Sequence, residues 1–326
     1  MFKISVHIEQ WEFNQVFRIT GREVTSSSGI VVKISDGKNI GQGEAQGVFY
    51  TDETPESMLA QVNSIADDIR RGITRHELLE LLPSGGARNA IDCALWDLEC
   101  KQTGKTIWEL TGITPKNVTT VFTIGMEDTP EAMAAKAAAA SDYSILKIKL
   151  DAHQPLEKLK AIRVARPDAQ LVVDANQGWS FEQLKELIPQ CVDLDLEMIE
   201  QPLPRGADEQ LSNLDSPIIL AADESCLDSS ELAEIEGRYK MINIKLDKTG
   251  GLTEALNLAR IAKSKGYKLM VGNMCGTSLS IAPSFVIAQL CDFVDIDGPL
   301  LLKYDHPNGL QFDLGDVGCF QSSFWG

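Results

Sequence analysis

Residues 144–150 read SILKIKL, an apolar, β-branched run that carries two lysines, Lys147 and Lys149, two positions apart. Alternate side chains of an extended chain share a face, so both ammonium groups point the same way, roughly 6.6 Å apart. Two like charges on a buried face are costly. A strand with this pattern needs a reason to exist, and its neighbours in the sequence supply one.

Short apolar runs recur on both sides of it: TTVFTIG, QLVVDAN, EMIEQP, PIILAADES, MINIKLDK, KLMVGN and DFVDIDGP. Each except the last is followed by a segment that reads as helical. TPEAMAAKAAAAS starts with Thr129 as N-cap and Pro130 in the first turn, and SFEQLKELI carries a capping box at Ser180 and Gln183. The reading is eight strands and about seven helices over roughly 180 residues. The polar residues at the strand ends (Lys149, Asp174, Glu200, Asp223, Lys245, Asn273 and Asp297) recur every 22 to 28 residues, the length of one strand–helix unit. Polar groups at the carboxyl ends of successive parallel strands, nearly all the way round, describe a (β/α)7β barrel of the TIM type. An open doubly wound sheet would concentrate them at one or two switch points.

The barrel is expected over residues 116–299. Residues 1–115 read as an α+β domain: VVKISDGKNIGQGEA has a hairpin signal at Asp36-Gly37, and ARNAIDCALWDLECKQTG is a helix stopping near Gly104. Residues 300–326 have no long helix and are expected to return to that domain and complete it.

Composition narrows the function classes. The formal net charge of −17 argues against binding to nucleic acid or an anionic membrane surface. No apolar run reaches bilayer length. The seven cysteines are scattered with no C-x-x-C pair, so neither a disulfide framework nor a zinc knuckle is indicated. The N-terminus has no signal-peptide pattern, and a cytoplasmic location is the expectation. A homo-oligomer is neither indicated nor excluded.

Asp174, Glu200 and Asp223 fall on three consecutive strands. Alone, each would serve as well as a helix cap or a lysine partner. Together they form a hard oxygen site suited to Mg²⁺, with Mn²⁺ as substitute. Lys149 ends the second strand and Lys245 the sixth, on opposite sides of the ring, with the carboxylates between them. A ligand bound there would have one lysine on each face. A cation at the carboxylates would stabilise the enediolate left when a hydrogen α to a carboxylate departs. A lysine base must be neutral, so its pKa must fall well below about 10.4, and Lys147 and the cation are the positive neighbours that would lower Lys149. Asp295 and Asp297, on one face of the last strand, are expected to be free for a cationic part of the substrate, a primary ammonium.

These motifs (KIK at 147–149, VDANQGW at 173–179, IEQP at 199–202, ADES at 222–225 and NIKLDKTGG at 243–251) resemble, in order, those of the enolase superfamily in its muconate-lactonizing branch. Within it the sequence is most similar to dipeptide epimerases, particularly those acting on L-Ala-D/L-Glu. The resemblance implies that Asp174, Glu200 and Asp223 hold Mg²⁺ against the dipeptide's carboxylate. Lys149 and Lys245 would exchange the α-proton of the second residue, Lys147 would assist Lys149, and Asp295 and Asp297 would hold the α-ammonium. It also implies an arginine in the first capping-domain loop for a glutamate side chain, where Arg22 fits better than Arg18, and Tyr50 in the second loop as a wall of the pocket. The main alternative on this scaffold is an o-succinylbenzoate synthase or muconate cycloisomerase reaction, whose substrates have no ammonium for the two aspartates. A Schiff-base aldolase using Lys245 would leave the carboxylates idle, and a non-catalytic binding protein would not need both lysines.

Overall fold

A computed structural model describes residues 1–326. The chain opens with a three-stranded antiparallel sheet, β1 (Lys3–Ile19), β2 (Arg22–Ser35) and β3 (Ile40–Ala45). The β2–β3 turn is where Asp36-Gly37 places it: Asp36 Oδ1 accepts from the Lys38 and Asn39 amides at 2.8 and 2.7 Å. Helices α1 (Pro55–Ser64), α2 (Ala66–Arg71), α3 (Arg75–Leu81), α4 (Gly86–Thr103) and α5 (Ile107–Thr111) follow. Capping boxes at Thr54/Ser57, Thr74/Glu77 and Thr106/Glu109 start α1, α3 and α5, and Gly104 in the left-handed region stops α4. Helix α4 lies so close to β3 that a Cβ on Gly41 or Gly43 would fall 2.0 or 2.1 Å from the carbonyl oxygen of Ala94 or Ala90.

After a short strand β4 (Val118–Thr119) come eight parallel strands: β5 (Phe122–Ile124), β6 (Ile145–Lys149), β7 (Gln170–Asp174), β8 (Leu196–Glu200), β9 (Ile219–Ala222), β10 (Met241–Ile244), β11 (Lys268–Val271) and β12 (Phe293–Val294). They are hydrogen-bonded in consecutive order. The Val121 amide donates to the Val294 carbonyl at 2.9 Å, joining the first strand to the last. Period-2 alternation along these strands builds the interior in layers. Val172, Met198, Ala221, Met241 and Met270 pack together inside the lower end. Two residues further along four of these strands come Asp174, Glu200, Asp223 and Asn243, so one face of each strand is apolar at the bottom and polar at the mouth.

The outer layer departs from the regular pattern. Helices α6 (Pro130–Ala139), α7 (Pro155–Ala165) and α8 (Phe181–Asp193) follow the first three barrel strands; α9 (Leu246–Thr249) with α10 (Leu252–Ser264), and α11 (Ser278–Ala288), follow the sixth and seventh. The fourth and fifth strands are followed instead by 3₁₀ turns at Glu209–Asn213 and Ser229–Glu231. The first is bracketed by Pro202 and Pro204 before it and Pro217 after it. In the second, i→i−3 bonds such as Glu234 N to Glu231 O at 3.0 Å run up to Gly237, which has φ +80°. Ser180 caps α8, but the Gln183 side chain donates to the Ala152 carbonyl at 3.1 Å and not back to Ser180.

Beyond the barrel, α12 (Gly298–Leu301) leads to β13 (Phe312–Asp313), which pairs with β14 (Asp316–Val317), and β14 pairs in turn with β4. The last segment touches both parts of the molecule. Lys303 N donates to Glu12 O at 2.8 Å, Trp325 Nε1 to Gln42 O at 3.0 Å and Gly326 N to Asp97 Oδ1 at 3.0 Å. No helix is long and apolar enough to cross a membrane.

Candidate active site

The carboxyl ends of the barrel strands bring the charged residues together. Asp174 and Glu200 are the last residues of β7 and β8 and lie side by side in register, and Asp223 follows β9 directly. All three are fully buried. Lys149 ends β6 opposite Asp174, and Lys245 follows β10 as the N-cap residue of α9. Lys149 Nζ donates to Asp174 Oδ2 at 2.5 Å, and Lys245 Nζ to Asp223 Oδ2 at 2.6 Å. Lys147, 1% exposed, sits among Asp295 Oδ2 at 2.6 Å, Glu200 Oε2 at 2.7 Å and Asp174 Oδ2 at 3.2 Å.

Burial works to lower Lys147, but Asp295, Glu200 and Asp174 outweigh it and hold it well above the ordinary lysine value. Burial likewise opposes the charge on Lys245, and Asp223 and Glu200 raise its pKa overall. Each of the three lysines has a carboxylate directly in front of it: Asp295 for Lys147, Asp174 for Lys149 and Asp223 for Lys245. The carboxylates diverge in turn. Burial would raise Asp174, yet Lys149 and Lys147 hold it at about 2. Burial and the neighbouring Asp174 push Glu200 up to about 7.

Asp295 and Asp297 lie beyond the end of β12, with Asp297 as N-cap residue of α12. They are less free than the sequence suggests: Asp295 pairs with Lys147, and Asp297 Oδ2 accepts from the Thr123 amide at 2.7 Å. Burial, then Asp295, pushes Asp297 up to about 7. Both line the cavity over the barrel mouth, together with Lys147, Lys149 and Lys245.

The roof of that cavity comes from the N-terminal domain. The β1–β2 hairpin reaches over the barrel, and Thr20 Oγ1 at its tip donates to the Ala175 carbonyl at 2.9 Å. Arg22 lines the cavity, with its guanidinium carbon 4.3 Å from the centre of the Phe49 ring. Arg18 does not; it pairs with Glu23 at 2.7 Å on the outside. Tyr50 lines the cavity too, and its buried hydroxyl has no hydrogen-bond partner. Sequence reasoning passed over Glu224, which lines the cavity beside Asp223, and Lys248, whose ammonium grips Asp223 Oδ1 at 2.8 Å. Glu224 is legible only as the acidic neighbour of a strand-end aspartate. Lys248 is legible as a second lysine one helical turn after Lys245.

In this arrangement no three acidic, histidine or cysteine side chains converge on one point as metal ligands do, because each carboxylate is turned toward a lysine. The donor set nevertheless fits a hard divalent cation. Three fully buried carboxylates supply only oxygen. Buried oxygens with no hydrogen-bond donor also cluster around them: Glu200 Oε2, Asn176 Oδ1, Asn243 Oδ1 and Glu224 Oε2. For Glu200 Oε2, the contact with Lys147 is an ion pair by distance alone, without hydrogen-bond geometry.

An eight-stranded barrel with acids and lysines at its mouth and a separate domain above it is the architecture of the enolase superfamily. Residues 131–309 match the enolase C-terminal domain-like family and residues 3–112 the mandelate racemase / muconate lactonizing enzyme N-terminal domain, and the chain belongs to this family. It is 40% identical over 320 residues to the L-Ala-D/L-Glu epimerase of Escherichia coli (strain K12), covering 97% of this chain and 99% of that one. An enolase family member from Agrobacterium tumefaciens with homology to dipeptide epimerases, crystallised with sodium and L-Ala-L-Glu, aligns with a TM-score of 0.97 and 38% identity over 100% of both chains. The dipeptide epimerase of Enterococcus faecalis V583, complexed with Mg and L-Leu-L-Tyr, aligns with a TM-score of 0.90 and 27% identity over 97% of this chain and 96% of that one. Epimerases are isomerases.

Proposed function

We propose that this chain is a Mg²⁺-dependent dipeptide epimerase acting on L-Ala-D/L-Glu, inverting the α-carbon of the C-terminal residue. The observation that carries the reading is the pair Lys149 and Lys245, four strands apart in an eight-stranded ring with three buried carboxylates on the strands between them.

Asp174, Glu200 and Asp223 would hold the cation, which supplies electron withdrawal from the substrate carboxylate and makes the adjacent α-hydrogen acidic enough to remove. One of the two lysines takes that proton from one face while the α-carbon becomes planar. The other, already protonated, returns a proton to the opposite face, and the configuration inverts. Reaction in the reverse direction exchanges their roles. Lys147 balances the buried charge of Asp174, Glu200 and Asp295. Arg22 is the cation available for the glutamate side chain, Tyr50 closes that end of the pocket, and Asp295 and Asp297 receive the α-ammonium.

The test is ¹H NMR of a dipeptide panel in D₂O with Mg²⁺. The expected result is loss of the α-proton signal of the C-terminal residue with appearance of the epimer, abolished by EDTA and restored by Mg²⁺. Absence of exchange on every dipeptide, or loss of water from a succinylated substrate, would refute it. One observation favours a second reading, racemisation of an N-acylated amino acid: Asp295 and Asp297 already have partners in Lys147 and the Thr123 amide. Including N-acetyl-L-glutamate in the panel separates the two.

A further inference from the structure

Lys248 is 1% exposed and does not line the cavity. Its ammonium lies within hydrogen-bond distance of four acceptors: Asp223 O at 2.6 Å, Asp223 Oδ1 at 2.8 Å, Asn243 O at 2.8 Å and Cys226 O at 3.0 Å. An ammonium has three protons, so this one is saturated and has none left for a substrate. Two of the four bonds go to one residue, by main chain and side chain together, which fixes the Asp223 carboxylate in rotation as well as in place. Its other oxygen, Oδ2, faces Lys245. The third acceptor belongs to Asn243, whose Nδ2 donates to Glu200 Oε1 at 2.7 Å. One buried ammonium thus braces two of the three carboxylates assigned to the cation, one directly and one through Asn243.

We propose that Lys248 is a positioning residue for the cation site: it holds Asp223 Oδ1 so that Oδ2 alone is presented at the barrel mouth, and it steadies Glu200 through Asn243. This rests on the assignment of Asp174, Glu200 and Asp223 as Mg²⁺ ligands. Groups that orient metal ligands from behind typically change affinity or activity 10- to 100-fold when removed. A lysine that merely stitches β9 to β10 would change stability and leave cation binding alone.

Lys248→Met keeps the stem and removes the ammonium. Isothermal titration of Mg²⁺ into the substrate-free protein is the primary readout, with urea denaturation alongside. Mg²⁺ affinity should fall about 10- to 100-fold. Activity should be lost at limiting Mg²⁺ and largely recovered at saturating Mg²⁺, with KM for the dipeptide within about twofold of wild type. A variant that binds Mg²⁺ as tightly as wild type while its urea midpoint drops overturns the proposal. Lys248→Gln repeats the test should the methionine variant not fold. If neither folds, Lys248 is a folding residue and the proposal falls. If wild type itself does not bind Mg²⁺ at millimolar concentration, the cation assignment fails, and this inference with it.

Discussion

Asp247 joins the N-terminal domain to the barrel, and its substitution by asparagine tests the electrostatics of that joint. It is 5% exposed, and its Oδ1 accepts from the Gln46 and Gly47 amides at 3.0 and 2.8 Å. Burial raises its carboxyl from 3.8 to about 6, against the pull of those donors and Asn89. The folded state therefore holds this proton more tightly than the unfolded chain. Below about pH 3.8 both states are protonated, and the group adds no pH dependence. Between pH 3.8 and about 6 the unfolded chain releases the proton first, so stability falls as pH rises, and above about 6 the loss is complete. A difference of this size corresponds to about 3 kcal/mol. Asp247→Asn keeps an oxygen for both amides and cannot ionise. Urea denaturation of both proteins at pH 4 and pH 7.5 isolates the effect, because constant offsets from the amide cancel. The stability of the variant relative to wild type should improve by about 2.4 kcal/mol between the two pH values, because part of the change already lies below pH 4. A relative stability that stays flat, or moves against the variant as pH rises, would refute the reasoning.

Lys149→Met and Lys245→Met should each lower epimerisation about 10²- to 10⁴-fold. Each should still exchange the α-proton of one enantiomer in D₂O, and opposite enantiomers for the two variants. Arg22→Met should raise KM for a glutamate-terminated dipeptide about tenfold, the worth of a charged hydrogen bond, and leave L-Ala-L-Leu unchanged in steady-state kinetics. Gly43→Ala should cost about 3 kcal/mol in urea denaturation, because its Cβ would meet the Ala90 carbonyl oxygen at 2.1 Å and only backbone movement could relieve it. An unchanged midpoint would show that the β3–α4 contact is looser than its geometry.

The barrel was legible because the rule behind it is local. Each strand alternates faces, so Val172 inside predicts Asp174 inside, and Met198 predicts Glu200. The spacing of strand ends then counts the units without any knowledge of contacts. Two things were not legible. Sequence marks Lys147 and Asp295 as charges at the mouth but cannot say that they meet each other, because their 2.6 Å contact depends on how the first and last strands close the ring. The turns after β8 and β9 were not legible either: residues such as Glu231, Leu232, Ala233 and Glu234 favour a helix, yet the chain forms 3₁₀ turns there. Lys248 illustrates a further limit. A buried lysine and a solvated one look alike in a sequence until their acceptors are known.

The joint at α9 also bears on how the molecule comes to exist. Gln46 meets Asp247 across 201 residues of chain, and Arg88 meets Thr249 across 161. Contacts this distant in sequence form late, because the loop must close before they stabilise anything. At ribosomal speeds of about 5–20 residues per second, on the order of 10–40 s separate the synthesis of the two halves of this contact. During that interval the Gln46 and Gly47 amides have only water, and Arg88 lacks the carbonyls that will receive it. The turn carrying Lys245 therefore completes these hydrogen bonds only against a segment made long before it.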